Sequence, residues 1–316
     1  MLYNMKNKIA IIIPYFGRFP EWIDLFFYSC SCNQMISDNT RVDWFIFTDN
    51  DYTPVQYNNV ILKKMHFLDY CAMVSKKLDI EFHPQSPYKL CDLRPFYGII
   101  HHDDLKGYTH WGFGDLDLCY GRLSVVLSDQ RIAKYDLITT HADRVAGHLT
   151  IIRKESSYSK YCFKIKKWQD KLVNQYVYGL DEHDFTVLVY PFQPYIWGLY
   201  RYLGKPLCIK YYNFFAAINF LPNMFSKHFF QEYYTSMLPA NGEKWTYDPQ
   251  TSIMLGPHNI ELPYLHFLFF KKNKFFNGEF FWKENFWKIE NLDFKKCLQL
   301  VVFDNKKVTL SDTNKL

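Results

Sequence analysis

Two short apolar runs with a helical segment between them constrain the fold of this chain more than any other feature. Residues 8–14 and 42–47 are rich in Ile, Val and Phe and have the length of buried strands. Residues 20–35 place apolar side chains at near-helical spacing. A strand, a helix and a second strand predict a parallel pair of strands. Because ligands bind at the carboxyl ends of such strands, we expect residues 15–18 and 48–51 to face one crevice.

The alternation of helices and strands continues through the first part of the chain. A helix is predicted over residues 88–101, which begin directly after Pro87. Further strands are predicted over residues 108–113, 136–140 and 147–153. We therefore predict an α/β fold in residues 1–190, with a mostly parallel sheet flanked by helices. Residues 191–316 are predicted to form an aromatic-rich C-terminal extension packed on the same unit.

The composition is that of a globular protein. Of the 316 residues, 48% are apolar and 22% are charged, a balance that suits one large α/β unit. No uninterrupted apolar run approaches the roughly 20 residues needed to span a bilayer. The eight cysteines are scattered without a CxxC pair, which favours reduced thiols over disulfides or a zinc site. These features predict a cytoplasmic protein.

A pair of carboxylates follows directly after the predicted strand 108–113. Asp115 and Asp117 lie one residue apart in the segment Trp-Gly-Phe-Gly-Asp-Leu-Asp, where Gly114 allows close approach to a ligand. Carboxylate oxygens are preferred ligands of Mg²⁺ and Mn²⁺, and such an ion can bridge them to both phosphates of a nucleotide-diphosphate sugar. The alternative is that the two acids only solvate a loop. Their position at the end of an apolar strand favours the metal site.

Two linked sequence blocks resemble bacterial glycosyltransferases from capsule and O-antigen gene clusters. The first block is Tyr-Lys-Leu-Cys-Asp-Leu-Arg-Pro-Phe-Tyr-Gly at residues 88–98, and the second combines residues 108–117 with Tyr120 and Gly121. That group has the GT-A fold, which is Rossmann-like, and the resemblance runs from the first strand through about Arg153. It implies a metal-dependent enzyme of surface-polysaccharide biosynthesis that transfers a hexosyl group, and galactofuranosyl transfer occurs in the group. A UDP-linked sugar donor, an Mn²⁺ or Mg²⁺ cofactor and a lipid-linked or oligosaccharide acceptor are expected.

The resemblance also implies which residues bind the donor. Residues 1–190 would form the nucleotide-sugar-binding core, and residues 191–316 would carry the acceptor side. The implied donor-binding residues are Pro14, Tyr15, Phe16, Arg18, Asp49, Lys89, Asp92, Arg94, Gly114, Asp115 and His148. An aromatic ring at position 15 or 16 would face the nucleobase, Asp49 would accept a ribose hydroxyl, and the cations at 89 and 94 would balance the diphosphate.

Several of these assignments have structural alternatives. Asp49 could equally cap the end of its strand, and Lys89 with Asp92 could form an i,i+3 ion pair on a helix. His148 could bind the donor sugar, bind the acceptor or pack in the interior.

A histidine near the C-terminus is a candidate third metal ligand. His266 lies in the segment Tyr-Leu-His-Phe, followed by Lys271, Lys272 and Lys274. This segment resembles the C-terminal His-Phe segment that supplies a metal or phosphate ligand in several GT-A families, and imidazole is an acceptable ligand for Mn²⁺. The resemblance therefore implies a metal site formed by Asp115, Asp117 and His266. Packing among aromatic side chains is the alternative for His266.

An acidic segment supplies the candidates for a catalytic base. Asp181, Glu182 and Asp184 lie in Leu-Asp-Glu-His-Asp-Phe, which resembles the acidic motif beside the acceptor in many GT-A enzymes. A carboxylate there could accept the proton of the acceptor hydroxyl. The alternative is a helix N-terminus, where acidic side chains favour the helix dipole.

The basic aromatic segment 269–288 predicts peripheral contact with the inner face of the cell membrane, since Phe and Trp enter the interface while Lys meets anionic headgroups. An aromatic core with a solvated lysine face is the alternative.

Two other functions compete with glycosyl transfer: a metal-dependent phospho- or nucleotidyltransferase, and a noncatalytic carbohydrate-binding or nucleic-acid-binding protein. The first would need more carboxylates at the same strand ends, and the second leaves the Asp115–Asp117 pair and the block at residues 88–98 unexplained. We expect no nucleic-acid partner.

Overall fold

The computed structural model of the chain describes residues 6–52, 55–191, 198, 202, 226–233, 235–236, 244–269, 297, 299–303 and 308–311. These residues have a mixed α/β fold in which helices flank a curled, mostly parallel central sheet. The strands are β1 Asn7–Pro14, β2 Met35–Ser37, β3 Thr40–Thr48, β4 Val60–Lys64, β5 His110–Gly114, β6 Leu118–Tyr120, β7 Leu137–Thr139, β8 Leu149–Arg153, β9 His228–Phe230, β10 Trp245–Asp248, β11 Ile253–Leu255, β12 Glu261–Leu262, β13 Tyr264–His266, β14 Leu300–Phe303 and β15 Val308–Ser311.

The described helical segments have at most 12 residues, and several of them are of the 3-10 type. The α-helices are α1 Ile23–Ser31, α2 Phe67–Leu78, α3 Tyr97–Ile100, α4 Asp129–Lys134, α5 Trp168–Val173 and α6 Thr186–Val189. The 3-10 helices are Pro87–Phe96, Leu123–Val125, Ser157–Lys164, Pro257–Asn259 and Phe267–Phe269, and Asp181–Phe185 forms one turn of π-helix.

The central sheet has the strand order β2-β3-β1-β5-β8-β7-β9. Strand β2 pairs with Thr40 and Arg41 of β3, and β4 pairs with residues 44–48 of the same strand. Strand β1 is parallel to both β3 and β5, which confirms the predicted parallel pair at the start of the chain. Strand β8 is antiparallel to both β5 and β7, and β9 is parallel to β7. Strands β3, β1, β5, β7 and β9 therefore run in one direction, and their carboxyl ends lie at one edge of the sheet.

The apolar run of β1 is continuous because both faces of the strand are buried. Ile9, Ile11 and Ile13 pack in one core cluster. Ala10 and Ile12 pack in the cluster on the opposite face. A strand covered on both faces loses the alternation of apolar and polar residues that a half-exposed strand shows.

The segment predicted as a helix over residues 88–101 is helical but mainly of the 3-10 type. It comprises the 3-10 helix Pro87–Phe96 and the single turn α3. Pro95 lies inside the first of these and has no backbone N–H, so a regular α-helical hydrogen-bond ladder cannot continue through it.

Parts of the chain beyond residue 190 add strands to the first part. Strand β9 joins the central sheet beside β7, and β13 pairs with β6. Strands β10, β11, β12, β14 and β15 form a separate antiparallel sheet. The division of the chain at residue 190 stays a prediction.

Within the described ranges, no helix is long and apolar enough to cross a membrane. The seven cysteines in that part of the chain form no disulfide with one another. Residues 270–288, which make up nearly all of the predicted membrane-contacting segment, lie outside the described residues.

Candidate functional site

The predicted acidic pair lies at the carboxyl edge of the central sheet. Gly114, the last residue of β5, pairs with Leu149 of β8, so Asp115 comes next to His148. The chain then turns into the short strand β6, whose Leu118 pairs with His266 of β13. This pairing brings His266 next to Asp117, and the backbone N–H of Phe267 donates to the Asp117 carbonyl at 2.8 Å.

The three predicted metal ligands come together. Ligand atoms of Asp115, Asp117 and His266 all lie within 4.8 Å of one another. The Nε2 atom of His266 is 3.4 Å from Oδ2 of Asp117. On the other side of the ring, Nδ1 of His266 is 2.9 Å from the Ser236 hydroxyl oxygen. Because that contact orients the ring with Nε2 toward the carboxylates, the donor set fits a divalent ion such as Mn²⁺ with two carboxylates and one imidazole.

A buried arginine connects the acidic pair to the predicted acidic segment. Arg94 donates one N–H to Oδ1 of Asp115 and another, at 2.8 Å, to Oδ2 of Asp181. Its side chain is 12% exposed and that of Asp181 is 2% exposed, so both charges lie largely out of water. Burial raises the pKa of Asp181, and the attraction of Arg94 opposes that rise. The two sequence blocks therefore meet through Arg94.

A glycine makes room for this ion pair. A Cβ added to Gly147 would clash with Nη1 of Arg94 and would lie 2.7 Å from Oδ2 of Asp181. Only glycine leaves this space.

Lys89 and Asp92 are placed differently from the predicted position facing a nucleotide. Their side chains, 2% and 0% exposed, form an i,i+3 ion pair with a 2.8 Å contact. The Lys89 ammonium also donates to the carbonyls of Lys171 and Tyr176. Its three N–H donors are thus used within the protein.

The Asp92 carboxylate in turn holds the loop that precedes Asp181. It accepts hydrogen bonds from the backbone N–H groups of Tyr178, Gly179 and Leu180. Lys89 and Asp92 therefore form a structural ion pair, which was the alternative to donor binding. Through the loop that Asp92 holds, this ion pair positions Asp181.

His148 lies in the interior next to the cluster of Asp115, Asp117 and His266. It is 3% exposed, and its ring stacks on that of His266 with a centroid distance of 4.3 Å. Its Nε2 is 2.8 Å from the Tyr264 hydroxyl, which donates to Thr140 Oγ1. Burial lowers the pKa of His148 well below its ordinary value, and the neighbouring His266 and His141 add to the effect. His148 is therefore a neutral side chain that supports His266.

The loops after β1 and β3 meet as predicted. The Gly17 N–H donates to Oδ1 of Asp49 at 2.9 Å, and the side-chain amide of Asn50 donates to the Gly17 carbonyl. Asp49 therefore stabilises the loop, which is compatible with its alternative role as a strand-end cap.

The two aromatic side chains of the first loop have different surroundings. Phe16 is 7% exposed and packs in the core against Phe67 and Tyr70, so it does not offer a free ring face. Tyr15 is half-buried and stacks on Phe19, and its hydroxyl donates a hydrogen bond to the Arg18 carbonyl. Arg18 itself is exposed, and Pro14 ends β1 at the same edge.

The three acidic candidates for a base have different partners. Asp181 pairs with Arg94. Glu182 lies 3.7 Å from Arg144, and Asp184 lies 2.5 Å from Lys171. Asp184 also lines a separate cavity of about 390 Å³ together with Lys164, Ile165, Lys166, His183, Val187 and Leu188. Each of the three carboxylates thus faces a cation, and of the three it is Asp181 that is linked to Asp115.

Residues 11–289 match a protein family described as a family of unknown function, DUF6625. The chain belongs to DUF6625. No curated protein matches it. The matched range of this DUF6625 chain includes every residue of the site described above, and its family description assigns no activity to them.

Two polar residues of the DUF6625 chain lie at the same sheet edge and were not predicted as site residues. His141 follows β7, and Glu232 follows β9. Nδ1 of His141 is 2.9 Å from Oε2 of Glu232, and the ring of His141 lies 5.0 Å from that of His148 between centroids. A polar residue directly after the predicted strand 136–140 was the available signal for His141. No local pattern marks Glu232, since it lies in the irregular part of the sequence.

Proposed function

We propose that this protein is a metal-dependent glycosyltransferase of the GT-A type. It would transfer a hexosyl group, such as a galactofuranosyl group, from a nucleotide-diphosphate sugar to a growing surface-polysaccharide acceptor. The observation that carries the proposal is the Asp115, Asp117 and His266 cluster at the carboxyl edge of a mostly parallel sheet. Ligand sites of open α/β sheets lie at that edge, and oxygen-rich donor sets with one imidazole suit Mn²⁺.

In this proposal Asp115, Asp117 and His266 hold the divalent cation. The bound cation would neutralise the diphosphate and stabilise the negative charge of the departing nucleoside diphosphate. Arg94 contributes a second positive charge next to Asp115, and Asp181 keeps its guanidinium in place. A preorganised cation of this kind costs no reorganisation when charge develops on the leaving group. Tyr15 and Asp49, at the ends of β1 and β3, are the candidates for contact with the UDP part of the donor.

The main competing function is metal-dependent phosphoryl or nucleotidyl transfer. Two-metal phosphoryl transfer uses several carboxylates that bridge two ions. Among the described residues, the cluster that could hold a metal contains two carboxylates and one histidine. This donor set favours a single ion, and therefore glycosyl transfer.

A thermal-shift panel tests the proposed function. UDP, GDP, CDP and dTDP sugars are added to the purified chain with and without Mn²⁺. At a concentration 100 times the Kd, binding to the folded state stabilises it by about 2.7 kcal/mol, which corresponds to roughly 4 °C for a chain of 316 residues. We expect a Mn²⁺-dependent shift with UDP-hexoses. The absence of any Mn²⁺-dependent shift with every nucleotide sugar, together with Mn²⁺-dependent release of phosphate from UTP, would instead support phosphoryl transfer.

Changing the three acids of the predicted base segment should separate their roles. Asp181→Asn keeps the side-chain shape but removes the charge that holds Arg94, so we expect donor affinity to fall roughly 10-fold to 100-fold, the value of a charge-assisted hydrogen bond. Glu182→Gln and Asp184→Asn are matched controls, since their partners are Arg144 and Lys171. Calorimetric titration with UDP-hexose and Mn²⁺ measures the effect. Equal affinity in all three variants and the wild type would show that Asp181 does not act on the donor site through Arg94.

A further inference from the structure

The His141–Glu232 pair arises from the register of the central sheet. Thr139 of β7 is paired with Phe230 of β9 in a parallel register. Continuing both strands by two residues brings His141 beside Glu232, and the observed Nδ1–Oε2 distance is 2.9 Å. The same continuation along the antiparallel partner β8 brings His141 opposite His148. The pair is thus held by the sheet. The ring of His148 lies between His141 and His266 of the metal-ligand cluster.

The contact with Glu232 determines which nitrogen of His141 carries the proton. An ionised carboxylate can only accept hydrogen bonds, so Nδ1 of His141 must be the donor. In the neutral ring, Nε2 then carries the lone pair. Among the described residues, no hydrogen-bond partner contacts Nε2 of His141. The side chain is 14% exposed, so the ring is not closed off in the interior.

Each ring nitrogen of the two neighbouring histidines, His266 and His148, is either in contact with a polar group or buried. Nε2 of His266 faces Asp117, and its Nδ1 contacts Ser236. Nε2 of His148 contacts the Tyr264 hydroxyl, and the ring is 3% exposed. Of these three histidines, His141 is the one that combines partial exposure with a ring nitrogen that has no hydrogen-bond partner among the described residues.

The acids of residues 181–184 are less suited to accept a proton. Each of them lies next to a cation, namely Arg94, Arg144 or Lys171. Each carboxylate therefore already has a cation as its partner, and an acceptor hydroxyl would have to compete with that cation for it. For His141 the neighbouring charge is negative, and it stabilises the imidazolium that forms when the ring accepts a proton.

We propose that His141 is the general base of the transfer reaction and that Glu232 is the residue that positions it. This inference rests on the proposed glycosyltransferase function. In the step, the acceptor hydroxyl oxygen forms a bond to the anomeric carbon of the donor, and the hydroxyl proton passes to Nε2 of His141. The bond between the anomeric carbon and the diphosphate oxygen breaks, and its electron pair leaves with the nucleoside diphosphate. The resulting imidazolium is paired with the Glu232 carboxylate and loses its proton to solvent before the next turnover.

Kinetics of His141 variants test this assignment. The probes are UDP-glucose, UDP-galactose and UDP-galactofuranose as donors with Mn²⁺, and a set of octyl hexosides as acceptors. His141→Gln should lower kcat for transfer by roughly 100-fold to 10,000-fold, the usual contribution of a general base. The Kd for donor with Mn²⁺ should stay at the wild-type value, because His141 is not a ligand of the cluster. His102→Gln, an exposed histidine in the turns before β5, is the matched control and should leave both values unchanged.

A second measurement determines which ring nitrogen of His141 carries the proton in the metal-free protein. With ¹⁵N-labelled histidine at about pH 8, where an ordinary imidazole is neutral, the His141 signals are assigned by their loss in His141→Gln. We expect Nδ1 to be protonated and Nε2 unprotonated.

Variants of Glu232 test its positioning role. Glu232→Gln should lower kcat less than His141→Gln does, and Glu232→Asp should restore part of the kcat that Glu232→Gln loses.

The outcomes separate the two proposals. Wild-type kcat in His141→Gln, or the Nε2-protonated tautomer in the wild-type chain, would overturn the assignment of His141 while glycosyl transfer stands. A wild-type chain that neither binds nor transfers from any of the sugar donors with Mn²⁺ would overturn the proposed function, and the base assignment with it.

Discussion

Asp117→Asn should remove the Mn²⁺-dependent part of nucleotide-sugar binding while the protein stays folded. The amide has almost the shape of the carboxylate but no charge, and it is a poor ligand for a divalent ion in a three-donor cluster. Losing a group that only supports a metal ligand already costs 10-fold to 100-fold in affinity, so losing the ligand itself should cost at least about 100-fold. Calorimetric titration with Mn²⁺ alone, and then with UDP-galactose in its presence, measures both affinities.

Two further variants sharpen the test of the metal site. Asp115→Asn should weaken Mn²⁺ binding less than Asp117→Asn, because Asp115 already shares its charge with Arg94. Asp103→Asn is the matched control: this acid is exposed and lies in the turns before β5, whereas Asp115 and Asp117 follow that strand. Unchanged Mn²⁺ affinity in both Asp117→Asn and Asp115→Asn would rule out the metal assignment.

The second large effect is expected on stability rather than on binding. Lys89→Met removes the cation that pairs with the fully buried Asp92 carboxylate. Leaving one partner of a buried ion pair uncompensated costs about 3–5 kcal/mol, which corresponds to a fall in Tm of roughly 5–8 °C for a chain of 316 residues. Thermal unfolding followed by circular dichroism measures the change.

A matched lysine variant shows whether burial is the cause. Lys77 pairs with Asp103 at 2.6 Å, but that carboxylate is 62% exposed. Lys77→Met should therefore leave Tm nearly unchanged, since surface ion pairs contribute little. Equal Tm values for Lys89→Met and Lys77→Met would contradict the stabilising role assigned to the Lys89–Asp92 pair.

The three residues predicted as metal ligands lie together in the structure, although they differ in how they could be found from the sequence. Asp115 and Asp117 were visible because they follow an apolar strand directly, and ligands of α/β sheets lie at such strand ends. His266 was included through a resemblance, and its pairing with Leu118 accounts for the proximity. The identity of a bound ion and the reaction remain proposals.

The assignments around Lys89 and Phe16 show where local patterns mislead. A lysine and an aspartate three residues apart have the same spacing whether they face a ligand or each other. Burial decides between these roles, and it depends on residues 176–180, which lie far along the chain. Phe16 likewise could have faced a base or the core, and its contacts with Phe67 and Tyr70 place it in the core.

The strands at the start of the chain, the parallel pair β1–β3 and the acidic pair after β5 were predictable from the sequence, because period, composition and strand ends are local properties. The contacts that join Arg94 to Asp115 and Asp181, and His141 to Glu232, follow from the tertiary structure. The latter two are separated by 91 positions in the sequence. Their contact depends on β9 pairing beside β7 in one register. The packing of the whole sheet selects this register, so a local sequence pattern cannot predict it.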